Sequence, residues 1–473
     1  MKLKTLILTF LAFIVSGVIC FHTAYAGTVF IKGIAKGAEG KFISLKKFSD
    51  NLTQKEQLLA KSTIDSNGNF ELKCELNSTG LAIIHIEYYM GEVYLEPNNN
   101  YALEIRNLVF NDKLDKVNHY LSPLNCYIKV ISDKKNELNY LISKLNLNYN
   151  LFIRKNIVLV KNKEILLKTD TFLMAMQDTF AGINHPFFND YFTYRIASLK
   201  FLTGYSDPYK LMTEYIVNKP ILYDNIEYMS FLSDYFENYF KDITRSVKLS
   251  DLNVPVNKNK SFFEALDVLG NDSLLRNEVL REVVLLKTLD VLYSSANFDK
   301  KAVLEVLRQF SLKSKFEKHR LIASNLIESY NRFEKGNPAT EFKLGDTKDS
   351  VINLSDYKGK LVYVNFFANW CKPCMEELEL MKKLHEKYKN QIAFISISVD
   401  REFMKSFYLQ RDKKYDWEFL YFNNDYDLLE NYSVFSYPSF ALIDKEGKII
   451  QCPAPKPSEN IEMTFELLLA PPK

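Results

Sequence analysis

The pattern of apolar and polar positions changes twice along this chain. From Thr28 to about Leu108, short runs rich in β-branched and aromatic residues, several of them alternating, predict β-strands. The runs are TVFIKGIA, KFISLKKF, FELKCEL, LAIIHIEYY and YALEI. Asn67-Gly68 predicts a hairpin turn between two of them, because both residues tolerate positive φ. We therefore expect a small antiparallel β-sandwich or barrel.

The second part, from about Asn111 to Lys335, has the spacing of amphipathic helices. Apolar residues recur there at three- and four-residue intervals, which predicts a central all-α region. Examples are NELNYLISKLN, YFTYRIASLKFL, EYMSFLSDYFENYF and LLRNEVLREVVLLKTLDVL. Pro186, Pro208 and Pro220 interrupt the pattern. No repeat of fixed period is present, so a solenoid is not indicated.

In the third part, from about Gly336, buried apolar runs alternate with helical patterns, as an α/β layer with parallel strands requires. The predicted strands are LVYVNFFAN, AFISISVD and WEFLYF. The predicted helices are CMEELELMKKLHEKY, REFMKSFYLQRDKK, DLLENY and ENIEMTFELLL, and SFALIDKEGKII predicts a hairpin that turns at Lys445-Glu446-Gly447. This part is long enough for one domain.

The N-terminus has the features of an export signal. Lys2 and Lys4 precede an apolar run from Leu6 to Phe21, and Ala24-Tyr25-Ala26 places small residues where a signal peptidase reads them. A retained membrane anchor is the alternative, but at about 1.5 Å per residue the run reaches only roughly 24 Å, less than a bilayer core of about 30 Å. A lipid on Cys20 is a further alternative, although Ile19 stands where a small residue is required.

We therefore predict a cleaved signal peptide over residues 1–26 and a periplasmic protein, with membrane anchoring kept as the alternative. The mature chain is too long for one ordinary core. The predicted domains are a β-rich domain over 27–108, a helical region over 109–335 and an α/β domain over 336–473.

Charge and composition narrow the class of partner. The 61 Lys and Arg residues against 58 Asp and Glu give a formal charge of +3, which argues against a nucleic-acid partner. The six histidines lack the paired spacing of a zinc site, and His185, which precedes Pro186, is expected to cap a helix or pack. No metal is predicted.

Two of the cysteines stand three positions apart. After removal of the leader with Cys20, the remaining cysteines are Cys74, Cys126, Cys371, Cys374 and Cys452. An odd number cannot pair entirely within the chain. The isolated ones, Cys74, Cys126 and Cys452, are expected to be buried apolar residues. The pair in FFANWCKPCMEEL carries the candidate chemistry.

The pair lies at a predicted strand-to-helix junction. Cys371 is expected at the helix N-terminus, where unpaired N–H groups and the helix dipole favour the thiolate that attacks disulfides. Cys374 follows one turn later, close enough to resolve a mixed disulfide, and Pro373 suits the first turn. A zinc site would need two further ligands, and a purely structural disulfide over so short a loop gains little chain entropy. The spacing therefore favours redox chemistry.

A second feature lies farther along the chain. Ser436-Tyr437-Pro438-Ser439 precedes the strand SFALID and resembles the cis-proline loop that faces the dithiol in thioredoxin folds. A cis Tyr437–Pro438 bond would hold backbone N–H and C=O groups beside the sulfurs for pairing with a substrate chain. Before proline the cis isomer costs only about 0.5–1 kcal/mol.

Together, GNPATEFKL, INLSDYKGKLVYVNFFANWCKPCMEE, ISISVD and YPSFALIDKEGKI resemble the TlpA/ResA-type exported thiol:disulfide oxidoreductases. The resemblance covers about 336–450, and the β-rich part resembles the front domain of multidomain forms in Bacteroidetes. It implies a thioredoxin fold in which Cys371 attacks and Cys374 resolves, with Trp370, Tyr437 and Pro438 contacting the substrate. No cofactor beyond the Cys371–Cys374 disulfide is implied.

Polar residues near the motif refine this expectation. Asn365 stands where cytosolic thioredoxins carry a buried aspartate, and a neutral amide cannot serve as a buried base. Glu377 matches a glutamate of the TlpA/ResA branch and would exchange protons with the thiols, whereas an exposed helix glutamate is the alternative. Glu379 replaces a customary proline, so the helix is expected to be straighter.

Three functions remain open. The first is a reductase of disulfides in exported proteins, recharged by a membrane or periplasmic electron donor. The second is an oxidase or isomerase, which only a measured reduction potential separates from the first. The third is a binding or redox-sensing scaffold. A peroxidase is disfavoured because its reactive cysteine normally follows Pro and Thr in another motif.

Overall fold

The computed structural model describes residues 26–110, 123–134, 136–156, 158, 164–237, 239–244, 246–348, 350–400 and 402–470. The predicted signal peptide, Cys20 included, lies outside these residues up to position 25. Among the residues described, no helix has the length and apolar character needed to cross a membrane. The predicted fold class, a β-rich part, a helical part and a C-terminal thioredoxin fold, is confirmed.

The β-rich part folds into two sheets that share one core. Its strands are β1 (Gly27–Ile34), β2 (Phe42–Phe48), β3 (Glu56–Thr63), β4 (Asn69–Leu76), β5 (Gly80–Ile86), β6 (Tyr89–Leu95), β7 (Asn100–Arg106), β8 (Leu124–Asn125) and β9 (Tyr127–Ile131). Within the described residues the sheet orders are β4-β1-β7-β9 and β3-β2-β5-β6-β8. Alternate residues of the strands point inward, as β4 shows with its strictly alternating burial.

The structure corrects two expectations in this part. The sheets continue past the predicted limit at 108, because β8 and β9 add edge strands to both of them. Asn67-Gly68 does not close a hairpin: it joins β3, at the edge of one sheet, to β4, at the edge of the other. Gly68 has a φ of +82°, so the turn chemistry is as expected, but a local signal does not specify which sheet the next strand enters.

The central part is helical, as predicted. Its α-helices are α1 (Leu138–Asn156), α2 (Glu164–Thr179), α3 (Pro186–Leu202), α4 (Pro208–Tyr215), α5 (Ile226–Glu237), α6 (Phe262–Gly270), α7 (Glu278–Tyr293), α8 (Lys300–Lys313) and α9 (Glu317–Asn331). Pro186 and Pro208 lie in the first turns of α3 and α4. His185 caps α3, since its Nδ1 accepts from the Phe188 N–H at 3.4 Å.

The C-terminal domain is built on one mixed sheet. Its elements are β10 (Lys343–Asp346), β11 (Val351–Asn353), β12 (Leu361–Phe367), α10 (Lys372–Tyr388), β13 (Ile392–Ser398), α11 (Phe403–Lys413), β14 (Glu418–Tyr421), α12 (Tyr426–Asn431), β15 (Ser439–Ile443), β16 (Ile449–Gln451) and α13 (Ile461–Leu469). The described strand order is β11-β10-β14-β13-β12-β15-β16, with β12, β13 and β14 parallel and β15 antiparallel to β12. Helices α10 and α13 cover the same face, where Tyr363, Tyr388 and Phe465 pack together.

Polar contacts join the three parts of the molecule. Lys46 lies in β2 and Asp50 in the loop that follows it, whereas Asn325 lies in α9 and Arg332 directly after that helix. The contacts are Lys46 Nζ to Asp427 Oδ1 at 2.7 Å, Asn325 Nδ2 to Asp50 Oδ2 at 2.7 Å, and Arg332 to Glu430 Oε1 at 2.9 Å. Two of them reach α12, the helix that leads into the Tyr437–Pro438 loop.

Candidate active site

The two cysteines occupy the junction between β12 and α10. The chain turns after β12, where the Cys371 N–H donates to the Ala368 carbonyl at 3.1 Å. Cys371 is the N-cap of α10, and its Sγ accepts from the Cys374 N–H at 3.2 Å. Pro373 lies in the first turn. The predicted placement of Cys371 at a helix N-terminus is therefore confirmed.

Cys371 and Cys374 form a disulfide with an S–S distance of 2.07 Å. Cys371 is 6% exposed and Cys374 is fully buried. The other described cysteines, Cys74, Cys126 and Cys452, are free and buried, as expected. Burial raises the pKa of Cys452 to about 12 and that of Cys126 to about 11, so both thiols stay protonated at neutral pH.

The predicted contact residues lie next to this pair. Trp370 is 37% exposed, and its ring lies 6.0 Å from that of Tyr437 in an edge-on arrangement. The Tyr437–Pro438 bond is cis, as expected from the sequence. Burial, and then the charge of Asp400, raise the pKa of Tyr437, which keeps the phenol neutral. The loop is fixed in this position because β15 begins at Ser439 and pairs there with Phe366 of β12.

Burial distinguishes Glu377 from the neighbouring glutamates of α10. Glu377 is 8% exposed, whereas Glu376 and Glu379 are exposed. Its carboxylate oxygens accept from the Ser458 N–H at 3.0 Å and from the Ser458 hydroxyl at 2.5 Å. Glu379 instead forms an ion pair with Lys413 at 3.0 Å, and α10 runs without a break from 372 to 388. Glu377 is thus placed to hold the segment before α13 against α10.

Asn365 lies in β12 on the face that α10 covers, and it is 1% exposed. Its Oδ1 accepts from the Ser396 hydroxyl at 2.6 Å, and the Ser396 oxygen in turn accepts from the Trp417 Nε1–H at 2.8 Å. Among the described residues, its Nδ2 has no hydrogen-bond partner. The amide is thus part of a neutral buried chain of hydrogen bonds and offers no carboxylate that could serve as a base.

Sequence reasoning missed Asp400, which is 4% exposed and lies close to the dithiol turn. Its Oδ2 accepts from the backbone N–H of Asn369 at 2.8 Å and from the Asn369 side-chain amide at 2.9 Å. The available signal was its position as the last residue of the predicted strand AFISISVD, since the carboxyl ends of the parallel strands β12 and β13 meet at one edge of the sheet.

Comparison with known proteins agrees with this geometry. Residues 335–452 match the AhpC/TSA family. The thiol-disulfide oxidoreductase ResA of Bacillus thuringiensis subsp. konkukian is 35% identical over 123 residues, 25% of this chain and 69% of the relative. ResA of Bacillus subtilis is 30% identical over 144 residues, 29% of this chain and 76% of the relative.

Among solved structures, the thioredoxin domain of a thiol-disulfide oxidoreductase from Bacteroides vulgatus is 25% identical, with a TM-score of 0.27, over 28% of this chain and 96% of its own. The two ResA relatives match 25% and 29% of this chain. With the dithiol at the N-terminus of α10, the chain belongs, through its C-terminal domain, to the ResA-type thiol-disulfide oxidoreductases of the AhpC/TSA family.

Proposed function

We propose that the C-terminal domain reduces disulfides of exported proteins through Cys371 and Cys374. The observation that carries this proposal is the placement of Cys371 as the N-cap of α10, with Cys374 one turn inside. At that position the helix dipole and free N–H groups favour the thiolate of the first cysteine. The neighbouring Lys372 adds a positive charge with the same effect.

In the proposed reaction the reduced Cys371 thiolate attacks one sulfur of a client disulfide. A bond forms between Cys371 and that sulfur while the client disulfide breaks, and the second client sulfur leaves as a thiolate. Cys374 then attacks Cys371 Sγ, closes the 371–374 disulfide and releases the first client sulfur. The client gains two electrons and two protons, which an external dithiol donor must resupply.

The side chains around the dithiol support contact with a client chain. Trp370 is exposed beside the buried pair, and Tyr437 and Pro438 lie on the facing loop. Phe435, at the approach to that loop, is 50% exposed. Exposed aromatic rings offer a large contact area to a partner chain at low entropic cost. We therefore assign substrate contact to Trp370, Tyr437 and Pro438.

We also retain Glu377 as a proposed partner in proton transfer. It is the buried carboxylate one turn after Cys374, whereas Glu376 is exposed. Its bonds to Ser458 fix the carboxylate in place, which is what a group that exchanges protons with a thiol requires.

The location and the direction of transfer are further parts of the proposal. The leader pattern of residues 1–26 supports export to the periplasm, where a membrane or periplasmic donor would recharge the dithiol. Membrane anchoring stays the alternative to a free mature chain. The reducing direction is proposed from the resemblance to the TlpA/ResA type and is tested by the reduction potential.

The potential of the Cys371–Cys374 pair is measured by equilibrating the full mature chain in dithiothreitol or glutathione buffers and trapping free thiols. We expect a value near or below roughly −250 mV, because a reductase must give up electrons readily. A value near roughly −120 mV would replace the reductase by a disulfide-forming enzyme.

The roles of the cysteines are tested by turnover of a model disulfide, insulin, with dithiothreitol as donor. We expect Cys371→Ser to abolish catalysed cleavage, and Cys374→Ser to accumulate a mixed disulfide on Cys371 because the resolving thiol is gone. Cys452→Ser is the matched control, since that buried thiol only donates to the Tyr432 carbonyl at 3.2 Å. Unchanged turnover in Cys371→Ser would support a scaffold instead.

A further inference from the structure

Asp400 is a buried carboxylate that the proposed reaction does not use. It lies two residues beyond the end of β13, beside the end of β12, where the Val399 N–H donates to the Phe367 carbonyl at 2.9 Å. Besides the backbone and side-chain N–H groups of Asn369, the Ser398 hydroxyl donates to Asp400 Oδ2 at 3.0 Å. Three donors therefore converge on one oxygen of this side chain.

The cluster extends to α11. The Ser406 hydroxyl oxygen lies 2.6 Å from that of Ser398, and it accepts from the Asn369 side-chain amide at 2.9 Å. Ser398 and Ser406 are fully buried. Asn369 and Ser398 bond to the carboxylate, and Ser406 bonds to both of them, so the network links Asp400 to the dithiol turn, to the end of β13 and to α11.

The position of Asp400 relates it to both sides of the active site. Asn369 stands two residues before Cys371, at the start of the turn that ends in the disulfide. The titratable and charged groups that act on Asp400 from other elements are Tyr437, on the cis-proline loop, and Lys405, on α11. Burial raises the pKa of Asp400 against the lowering effect of its hydrogen bonds.

We propose that Asp400 is a positioning residue of the dithiol, which fixes the turn before Cys371 through Asn369 and opposes the Cys371 thiolate with its negative charge. This inference rests on the proposed function of Cys371 as the attacking thiol. Asp400 thus has two effects that can be tested separately: a geometric effect on the turn, and an electrostatic effect on the Cys371 thiolate.

The electrostatic effect follows from the redox balance. Reduction of the Cys371–Cys374 disulfide takes up two electrons and two protons, and ionisation of the Cys371 thiol then returns one proton to solvent. A carboxylate beside the turn raises the free energy of that thiolate but leaves the uncharged disulfide unaffected. The reduced form is disfavoured, so the pair becomes a stronger reductant, in the direction of the proposed function.

The test uses the full mature chain with Asp400→Asn, which keeps an acceptor oxygen for Asn369 and removes the charge. The reduced protein is alkylated with iodoacetamide as a function of pH, and labelling of Cys371 is followed by mass spectrometry. We expect the midpoint pH of Cys371 alkylation to move down by about 0.5–1 unit, because removal of a neighbouring negative charge favours the thiolate. The equilibrium constant for reduction of the Cys371–Cys374 disulfide by dithiothreitol should rise about 3–10-fold. This is the same change in thiolate stability, since one pKa unit corresponds to a factor of about ten.

Asp346→Asn is the matched control. Asp346 is a buried carboxylate of the same domain whose Oδ1 accepts from the Lys348 and Ser350 N–H groups at 2.8 and 2.7 Å, but it lies on β10, away from the dithiol turn. This variant should leave the Cys371 midpoint where it is in the wild type. Thermal unfolding of each variant verifies the fold, and Asp400→Ser, with a smaller side chain, carries the same expectation if Asp400→Asn does not fold.

Asn369→Ala separates the geometric effect. This variant keeps the charge of Asp400 but loses the hydrogen bonds from the Asn369 side chain to Asp400 and Ser406. The midpoint pH of Cys371 alkylation should therefore not fall. The rate of insulin cleavage should drop severalfold. A wild-type midpoint in Asp400→Asn would overturn the inference. Alkylation reads the ionisation of Cys371 in any folded variant, so this outcome is distinct from a failure of wild-type turnover, which would overturn the proposed function.

Discussion

Glu377 connects the helix that carries the dithiol to a segment 81 residues farther along the chain. The Ser458 N–H and hydroxyl both donate to its carboxylate, at a site that is 8% exposed. Hydrogen bonds to a charged acceptor are stronger than neutral ones, and a buried donor that loses its acceptor is costly. The carboxylate therefore has a structural role whether or not it exchanges protons.

Glu377→Gln should lower the free energy of unfolding by about 1–2 kcal/mol, because the amide offers one acceptor oxygen to two donors. Glu376→Gln, on the exposed side of the same turn, should stay within about 0.5 kcal/mol of wild type. Urea denaturation of both variants measures this. If Glu377 also transfers protons, insulin turnover at neutral pH should fall by about tenfold or more in Glu377→Gln alone. Unchanged insulin turnover in Glu377→Gln would show that Glu377 has a structural role and does not transfer protons.

At the scale of elements, one buried histidine joins several helices of the central region. His319 of α9 is fully buried, with Nδ1 2.8 Å from Glu282 Oε2 of α7 and Nε2 2.6 Å from the Tyr223 hydroxyl. The Ser314 hydroxyl, at the end of α8, donates to the same Glu282 oxygen. Every group of this junction has a partner, which is the condition under which buried polar groups are tolerated.

His319→Leu should therefore destabilise the protein by about 3 kcal/mol, because Glu282 stays buried with only part of its hydrogen bonding. Tyr223→Phe removes one hydroxyl at the edge of the same junction and should cost about 1 kcal/mol. Chemical denaturation followed by far-UV circular dichroism gives both values. Equal stability of His319→Leu and wild type would show that the junction adds nothing to the packing of α7 against α9.

At the scale of the whole molecule, Lys46 links the β-rich part to the thioredoxin domain. Its ammonium group pairs with Glu56 at 3.0 Å and with Asp427 of α12 at 2.7 Å, 381 residues away. Burial opposes the charge of Lys46, but the bonds to Asp427 and Glu56 outweigh it, so the pKa of Lys46 is raised. Burial likewise opposes ionisation of Glu56, yet its contacts with His85 and Lys46 lower the pKa of Glu56 to about 2.

The signs of these shifts define a pH window. The stability that Glu56 contributes is complete above its unfolded pKa of 4.5 and is lost as the pH falls toward about 2. The raised pKa of Lys46 gives stability that is present below its unfolded value of 10.5 and lost as the pH rises through the folded value. The ion pairs of Lys46 with Glu56 and Asp427 are therefore formed at neutral pH.

Lys46→Met should loosen the contact between these two parts, because Glu56 and Asp427 lose the cation that they share. We expect faster proteolysis around 331–337, before the thioredoxin domain, and a larger radius of gyration in X-ray scattering at neutral pH. Lys47→Met, the next residue in β2, is the matched control and should behave as wild type. Identical scattering of Lys46→Met and wild type would show that Lys46 does not hold the β-rich part against the thioredoxin domain.

The sequence alone determined the elements and the chemistry that depend on neighbouring residues. The junction of LVYVNFFAN with WCKPC placed Cys371 at a helix N-terminus, because a buried strand, a proline in the first turn and helical spacing are all readable within one or two turns. For the same reason the three composition regimes could be recognised before the fold was known. The cis Tyr437–Pro438 bond was expected from the resemblance of its loop to that of thioredoxin folds.

The tertiary structure alone decided which distant groups meet. It brought Asp400 to Asn369, Ser458 to Glu377 and Lys46 to Asp427, and it sent β3 and β4, which share a tight turn, into different sheets. Strand β3 escaped detection because its residues are half-exposed on both faces and lack alternation. Periodicity and turn chemistry report the conformation of a segment, whereas these contacts depend on how separate elements pack, which no local pattern encodes.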